Sequence, residues 1–159
     1  MTMKRLSWAQ IDEAADELVA KIKASGFEAD YIIGITRGGL IPLGLLSKRL
    51  DVKKILTVSA RSYNKKKKGE LEITYMPDVD LAEKKLLLVD EIADTGNTLH
   101  TIADMLVAAY KPRELRTATL IVNTDRCEFY PDFWVLAETG DWIAFPWEKE
   151  DVFPPYKNA

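Results

Sequence analysis

The sequence predicts an α/β protein with a mainly parallel twisted sheet flanked by helices. Three observations carry that expectation. Strand-like apolar runs alternate with amphipathic helical runs along most of the chain, the pattern of a parallel sheet with helical crossovers. The stretch "LLLVDEIADTGNTL", residues 86–99, reads as an apolar strand, two acids and a tight turn into a helix. And 159 residues with 47% hydrophobic content suit one domain, 1–159, with a real core.

The elements follow in order. Ser7 and Gln10 are spaced for a capping box, and Trp8, Ile11, Ala15, Leu18, Val19 and Ile22 then recur at helical spacing up to a stop at Gly26. "YIIGI", 31–35, is a buried strand and "TRGG" a turn. "LIPLGLLSKRL" is a helix with Pro42 in its first turn, where a missing N–H costs little. "ILTVSA", 55–60, and the alternating "LEITY", 71–75, are strands, separated by a polar, lysine-rich segment expected to be mobile. Residues 86–90 form the next strand, "NTLHTIADMLVAAY" the next helix and "TATLIV", 117–122, a further strand. The carboxyl tail, rich in tryptophan and proline, breaks the alternation and reads as a small separate hood over about 123–159.

Composition removes several function classes. A net charge of −3 argues against general binding to nucleic acid or to an anionic membrane. No apolar run reaches the roughly 18 residues of a membrane span. "MTMKRLSWAQ" lacks a signal-peptide core, so a cytoplasmic location is expected. Cys127 is the lone cysteine, which excludes an internal disulfide and fits a reducing compartment. With one histidine as well, a His/Cys metal cluster is not available. His100 reads as a surface or half-buried helix residue, and Trp134 and Trp147 as packing residues. There is no G-x-x-x-x-G-K-[ST] and no G-x-G-x-x-G, and Ile92 stands where an aspartyl phosphatase would want its second Asp.

Asp90 and Glu91 fall at the carboxyl end of a strand, where ligands sit in open α/β sheets. The turn from Asp94 to Thr98 leads into a helix, and backbone N–H groups there, with Gly96 allowing close approach, make a phosphate cradle. Thr95 and Thr98 add hydroxyl donors. Acids beside a phosphate make sense if they accept hydrogen bonds from sugar hydroxyls or hold a cation, which points to a sugar phosphate with Mg2+.

At this point "LLLVDEIADTGNTL" resembles the phosphoribosyl pyrophosphate motif of type I phosphoribosyltransferases. "GITRGGLIPLGLLSKRL" resembles the pyrophosphate loop and helix of the xanthine–guanine and hypoxanthine (6-oxopurine) enzymes, "RSYNKKKKGEL" their catalytic lid and "DWIAFPWE" their base-binding hood. The resemblance implies transfer of the phosphoribosyl group of phosphoribosyl pyrophosphate to a purine base in purine salvage. It implies roles as well. Asp90 and Glu91 would bind the ribose hydroxyls, with Glu91 the principal Mg2+ contact. Thr95, Gly96, Asn97 and Thr98 would cradle the 5′-phosphate, and Asp94 would accept the purine N7 proton as the catalytic residue. Thr36, Arg37, Gly38 and Gly39 would hold pyrophosphate, across a peptide that the family often makes cis. Ser62, Tyr63 and Lys68 would belong to a lid over 61–70. Trp142 would stack on the base, and Ile143 would offer its backbone carbonyl to an exocyclic group.

Two positions depart from the family pattern. Gly69, preceded by Lys68, replaces a lid arginine, and a lysine lacks the bidentate fork. Asn123 and Thr124 replace a Lys-Pro pair whose lysine bonds the purine 6-oxo group. An Asn amide offers both a donor and an acceptor, so Asn123 is taken as a base contact able to rotate its NH2 toward an oxo group. The alternatives are a non-catalytic or regulatory protein of the same fold, or a transferase for another planar base. A homodimer or homotetramer is the assembly the resemblance implies.

Overall fold

The structure is a computed structural model that describes residues 3–62, 70–140 and 142–148. Its main sheet has six strands: β2 (Tyr31–Thr36), β3 (Ile55–Ser62), β4 (Leu71–Tyr75), β5 (Lys85–Ala93), β6 (Glu114–Asn123) and β7 (Leu136–Glu138). They lie in the order β4-β3-β2-β5-β6-β7. Only the β3–β4 pair is antiparallel. The helices are α1 (Trp8–Ala24), α2 (Leu40–Arg49) and α3 (Asn97–Tyr110).

Side chains alternate across the sheet and sort into two cores. Ile32, Leu87, Val89 and Leu120 pack with Ile11, Leu18 and Ile22 of α1 and Leu43 and Leu46 of α2. Their neighbours Ile33, Ile35, Leu86 and Leu88 face Leu99, Ile102 and Leu106 of α3. The period of two therefore puts α1 and α2 on one face and α3 on the other. The helix starts obey local chemistry. Before α1 the Gln10 N–H donates to Ser7 Oγ (3.2 Å), and the Ser7 N–H donates to Gln10 Oε1 (2.9 Å), closing the capping box.

Three strands escape the sequence reading. β1 (Met3–Arg5) and β8 (Trp142–Ala144) pair in parallel as a small second sheet, and β7 extends the main sheet beside β6. The carboxyl segment is thus not a wholly separate hood: its first part belongs to the main sheet. Each of the three strands has three residues, too few to display a period. β5 also runs past Asp90, because Ile92 and Ala93 continue the ladder to Ile121 and Val122 of β6.

Candidate active site

The strand order reverses between β2 and β5: β3 lies outside β2, and β6 lies outside β5. Such a switch point opens a crevice at the carboxyl ends of the strands. The β2–β5 register ends at the Gly34–Val89 pair, so the two chains part before Thr36 and Asp90. The segment Thr36–Gly39 leaves from one lip and Asp90–Glu91 from the other.

Contact between the lips is close. A Cβ on Gly38 would collide with the Glu91 carboxylate, including Oε2 at 2.8 Å, and one on Gly39 would lie 2.6 Å from the Ile35 carbonyl oxygen and 2.8 Å from that of Val89. Only residues without a side chain fit there. The Thr36–Arg37 peptide is cis, and the Thr36 hydroxyl donates to Ser59 Oγ on β3 (2.8 Å). Arg37 is exposed at the rim.

The two acids are desolvated together. Burial pushes the Asp90 carboxyl from the ordinary 3.8 up to about 7, opposed by the Glu91 N–H, which donates to Asp90 Oδ1 (2.8 Å). Burial likewise pushes Glu91 from 4.5 up to about 8, helped by the charges of Asp90 and Glu148 and opposed by a hydrogen bond to the Trp147 side chain. Among the described residues neither acid forms an ion pair.

After β5 the chain turns through Asp94, Thr95 and Gly96 into α3. Gly96 takes a left-handed conformation (φ 83°), and a Cβ there would run into the Phe129 carbonyl. The Asn97 N–H donates to Thr95 Oγ1 (3.2 Å). Asn97 and Thr98 are exposed at the start of α3. A segment following β6 lies over this turn: the Glu128 and Phe129 N–H groups both donate to the Thr95 carbonyl (2.9 and 3.3 Å), and the Phe129 ring stacks on His100 at 4.3 Å.

Beside the turn is a cavity of about 590 Å3 lined by Glu91, Ile92, Asp94, Asn123, Arg126, Gly140, Trp142, Ile143, Phe145 and Glu148. It joins Glu91 of the acid pair, Asp94 at the head of the turn and the carboxyl segment. The phosphoribosyl transferase domain matches residues 7–153, a span that includes the acid pair, the glycine turn and the aromatic wall of the cavity. The chain belongs to the phosphoribosyltransferase family.

Individual relatives agree. A xanthine-guanine phosphoribosyltransferase of Chromohalobacter salexigens is 30% identical over 143 residues, covering 90% of this chain and 82% of the relative. The crystal structure of a purine phosphoribosyltransferase from Pyrococcus horikoshii superposes with a TM-score of 0.81 at 32% identity, covering 94% of this chain and 96% of that one. The Helicobacter pylori xanthine-guanine-hypoxanthine phosphoribosyltransferase gives a TM-score of 0.81 at 25% identity, covering 92% and 94%.

In this phosphoribosyltransferase the oxygen-only acid pair suits a hard divalent cation. Among the described residues no third ligand completes a metal cluster. Magnesium commonly takes one or two carboxylates together with substrate phosphates, so the pair fits a cation brought in with a phosphorylated substrate.

Most of the expected site residues converge: Thr36–Gly39, Asp90, Glu91, the 94–98 turn, Asn123, Trp142 and Ile143. Of the expected lid, the Ser62 side chain, Tyr63 and Lys68 lie outside the described residues. Asn123 lines the cavity, but its amide is already engaged: Nδ2 donates to Asp94 Oδ1 (3.1 Å) and to the Gly140 carbonyl (3.2 Å), while Oδ1 accepts from the Asp125 N–H (3.1 Å). Arg126 was not anticipated. It sits in an exposed polar turn, and nothing in "NTDRCE" marks it. Trp147 was expected only to pack. It does stack on Phe145 (4.6 Å), yet it also bonds Glu91.

Proposed function

We propose that this phosphoribosyltransferase joins a 6-oxopurine base to the phosphoribosyl group of phosphoribosyl pyrophosphate, releasing pyrophosphate, as a cytoplasmic salvage enzyme. The observation that carries the proposal is that Glu91 of the acid pair and Asp94 at the head of the phosphate-type turn line one aromatic-walled cavity. The substrate named for the relatives agrees with it.

The base nitrogen displaces pyrophosphate at the anomeric carbon of the ribose. Positive charge develops on the sugar ring, as in glycoside hydrolysis. Asp90 and Glu91 accept hydrogen bonds from the ribose hydroxyls and hold the ring next to the incoming base. The turn Thr95–Thr98 fixes the 5′-phosphate with N–H and hydroxyl donors at the start of α3. Arg37 binds the departing pyrophosphate with its fork of donors. Asp94 accepts the N7 proton of the purine, and Trp142 stacks on the ring. Mg2+ bound at Glu91 and Asp90 would supply electrostatic stabilisation of the pyrophosphate as it leaves. Assembly as a homodimer or homotetramer, read by light scattering, belongs to the same proposal.

The test is turnover with phosphoribosyl pyrophosphate and Mg2+ against guanine, hypoxanthine, xanthine, adenine and uracil separately. Nucleoside monophosphate and pyrophosphate should form with the 6-oxopurines. Binding of the sugar pyrophosphate with no turnover of any base would refute the enzyme reading in favour of a regulatory protein.

A further inference from the structure

Resting on the proposed purine transfer, one question is which group reads the 6-oxo edge of the base. Asn123 cannot. It is 2% exposed, and its partners fix the amide orientation. Two acceptors, the Asp94 carboxylate and the Gly140 carbonyl, require NH2, and the Asp125 N–H requires the oxygen. Rotating the amide would break all three bonds in a buried site, so no hydrogen is left for the base.

Arg126 is placed differently. Its Nε (3.1 Å) and Nη2 (2.7 Å) both donate to Asp94 Oδ1, the same oxygen that Asn123 holds. A guanidinium carries five N–H groups, so the Nη1 pair and one Nη2 hydrogen are not spent on Asp94. None of the three donors to Asp94 uses Oδ2. The ion pair therefore leaves an acceptor, Oδ2, and three guanidinium hydrogens unspent, on two residues that line the same cavity as Trp142.

An acceptor paired with a donor is the hydrogen-bond complement of one edge of a purine. N7 and O6 of a 6-oxopurine lie side by side, and an arginine is the commonest partner for that edge. With N7 protonated, the edge presents a donor next to an acceptor, the complement of Asp94 beside Arg126. An adenine would instead aim its amino group at the cation. The backbone keeps the reader in place: two residues on, Glu128 donates its N–H to the Thr95 carbonyl of the phosphate turn.

We propose that Arg126 is the specificity residue that donates to the 6-oxo group, and that Asn123 is a positioning residue that braces Asp94. Hypoxanthine and unsubstituted purine distinguish the two roles, since both offer N7 and only the first has an oxo group.

The experiment measures kcat/KM for both acceptors, at saturating phosphoribosyl pyrophosphate and Mg2+, in wild type and three variants. Arg126→Met should lower the hypoxanthine-to-purine ratio about tenfold to a hundredfold, the worth of a hydrogen bond from a charged donor. Any shift of Asp94 affects both acceptors and cancels in the ratio. Arg126→Lys should restore most of the ratio. Asn123→Ala should lower kcat for both acceptors and leave the ratio unmoved. An unchanged ratio in Arg126→Met overturns the assignment, as does a collapsed ratio in Asn123→Ala. Failure of the wild type to turn over guanine, hypoxanthine and xanthine alike would overturn the purine transfer itself and this inference with it.

Discussion

Glu91→Gln should make the ligand-free protein more stable at pH 8 while destroying its function. Glu91 titrates near 8 in the folded chain against an ordinary 4.5, with desolvation the main cause. A carboxyl raised in this way keeps its proton when folded and loses it when unfolded between those values. The folded state then binds more protons, so stability falls as pH rises from about 4.5 to about 8. Each pH unit inside that window costs about 1.4 kcal/mol, which sets the whole effect of this one group at about 5 kcal/mol. Asp90, raised to about 7, adds to the same slope, and because the two repel each other their effects are not additive. The glutamine has the same shape and no proton to lose. Its stability should match wild type near pH 5 and exceed it by a few kcal/mol at pH 8. Urea unfolding followed by circular dichroism at pH 5, 6.5 and 8, in chelator, reads this directly. Adding Mg2+ with phosphoribosyl pyrophosphate should then stabilise wild type at pH 8 more than the variant, because a cation replaces the missing proton only where the carboxylate is present. Parallel pH profiles of the two proteins in chelator would refute the desolvation argument.

Other outcomes are expected from the geometry. Gly38→Ala puts a methyl into the Glu91 carboxylate, so it should displace that side chain. The cost in urea unfolding should be about 1–3 kcal/mol, and kcat/KM for phosphoribosyl pyrophosphate should fall by at least about tenfold. Gly96→Ala meets a left-handed φ and the Phe129 backbone together; it should cost about 2 kcal/mol or more and lower Tm by about 4–8 °C in calorimetry. Asp94→Asn should keep the fold, by circular dichroism, and lose turnover by about 10²–10⁴-fold in a pyrophosphate-release assay.

What could be read from the chain and what could not divide along physical lines. The 97–110 helix and the 71–75 strand appear at the expected residues, since each is long enough to show its period or is bounded by clear turn signals. The acid pair and the glycine turn were legible because their residue types are poor choices for a plain strand end. The end of β5 was misread for the same reason: Asp90 and Glu91 resemble a stop, yet the ladder to β6 continues beneath them. Asn123 lines the cavity, but its hydrogen-bond partners come from Asp94 and Gly140, far apart in sequence and adjacent only after folding. Arg126 and the Trp147–Glu91 contact are likewise products of tertiary proximity, with no local pattern to announce them.

The β1–β8 pairing has a kinetic consequence. Met3, Lys4 and Arg5 sit opposite Trp142, Ile143 and Ala144, and the Leu6 N–H adds a further bond to the Ala144 carbonyl (3.0 Å). The wall carrying Trp142 is therefore clasped by residues made at the other end of synthesis. Closing so long a loop costs entropy that only later contacts repay. The crevice between β2 and β5 can assemble while the ribosome is still adding β6, but the tryptophan wall must wait for its partner strand to be found. A nascent chain thus forms the crevice of the acid pair before the tryptophan wall, and cutting away β1 should displace Trp142 before it loosens the main sheet.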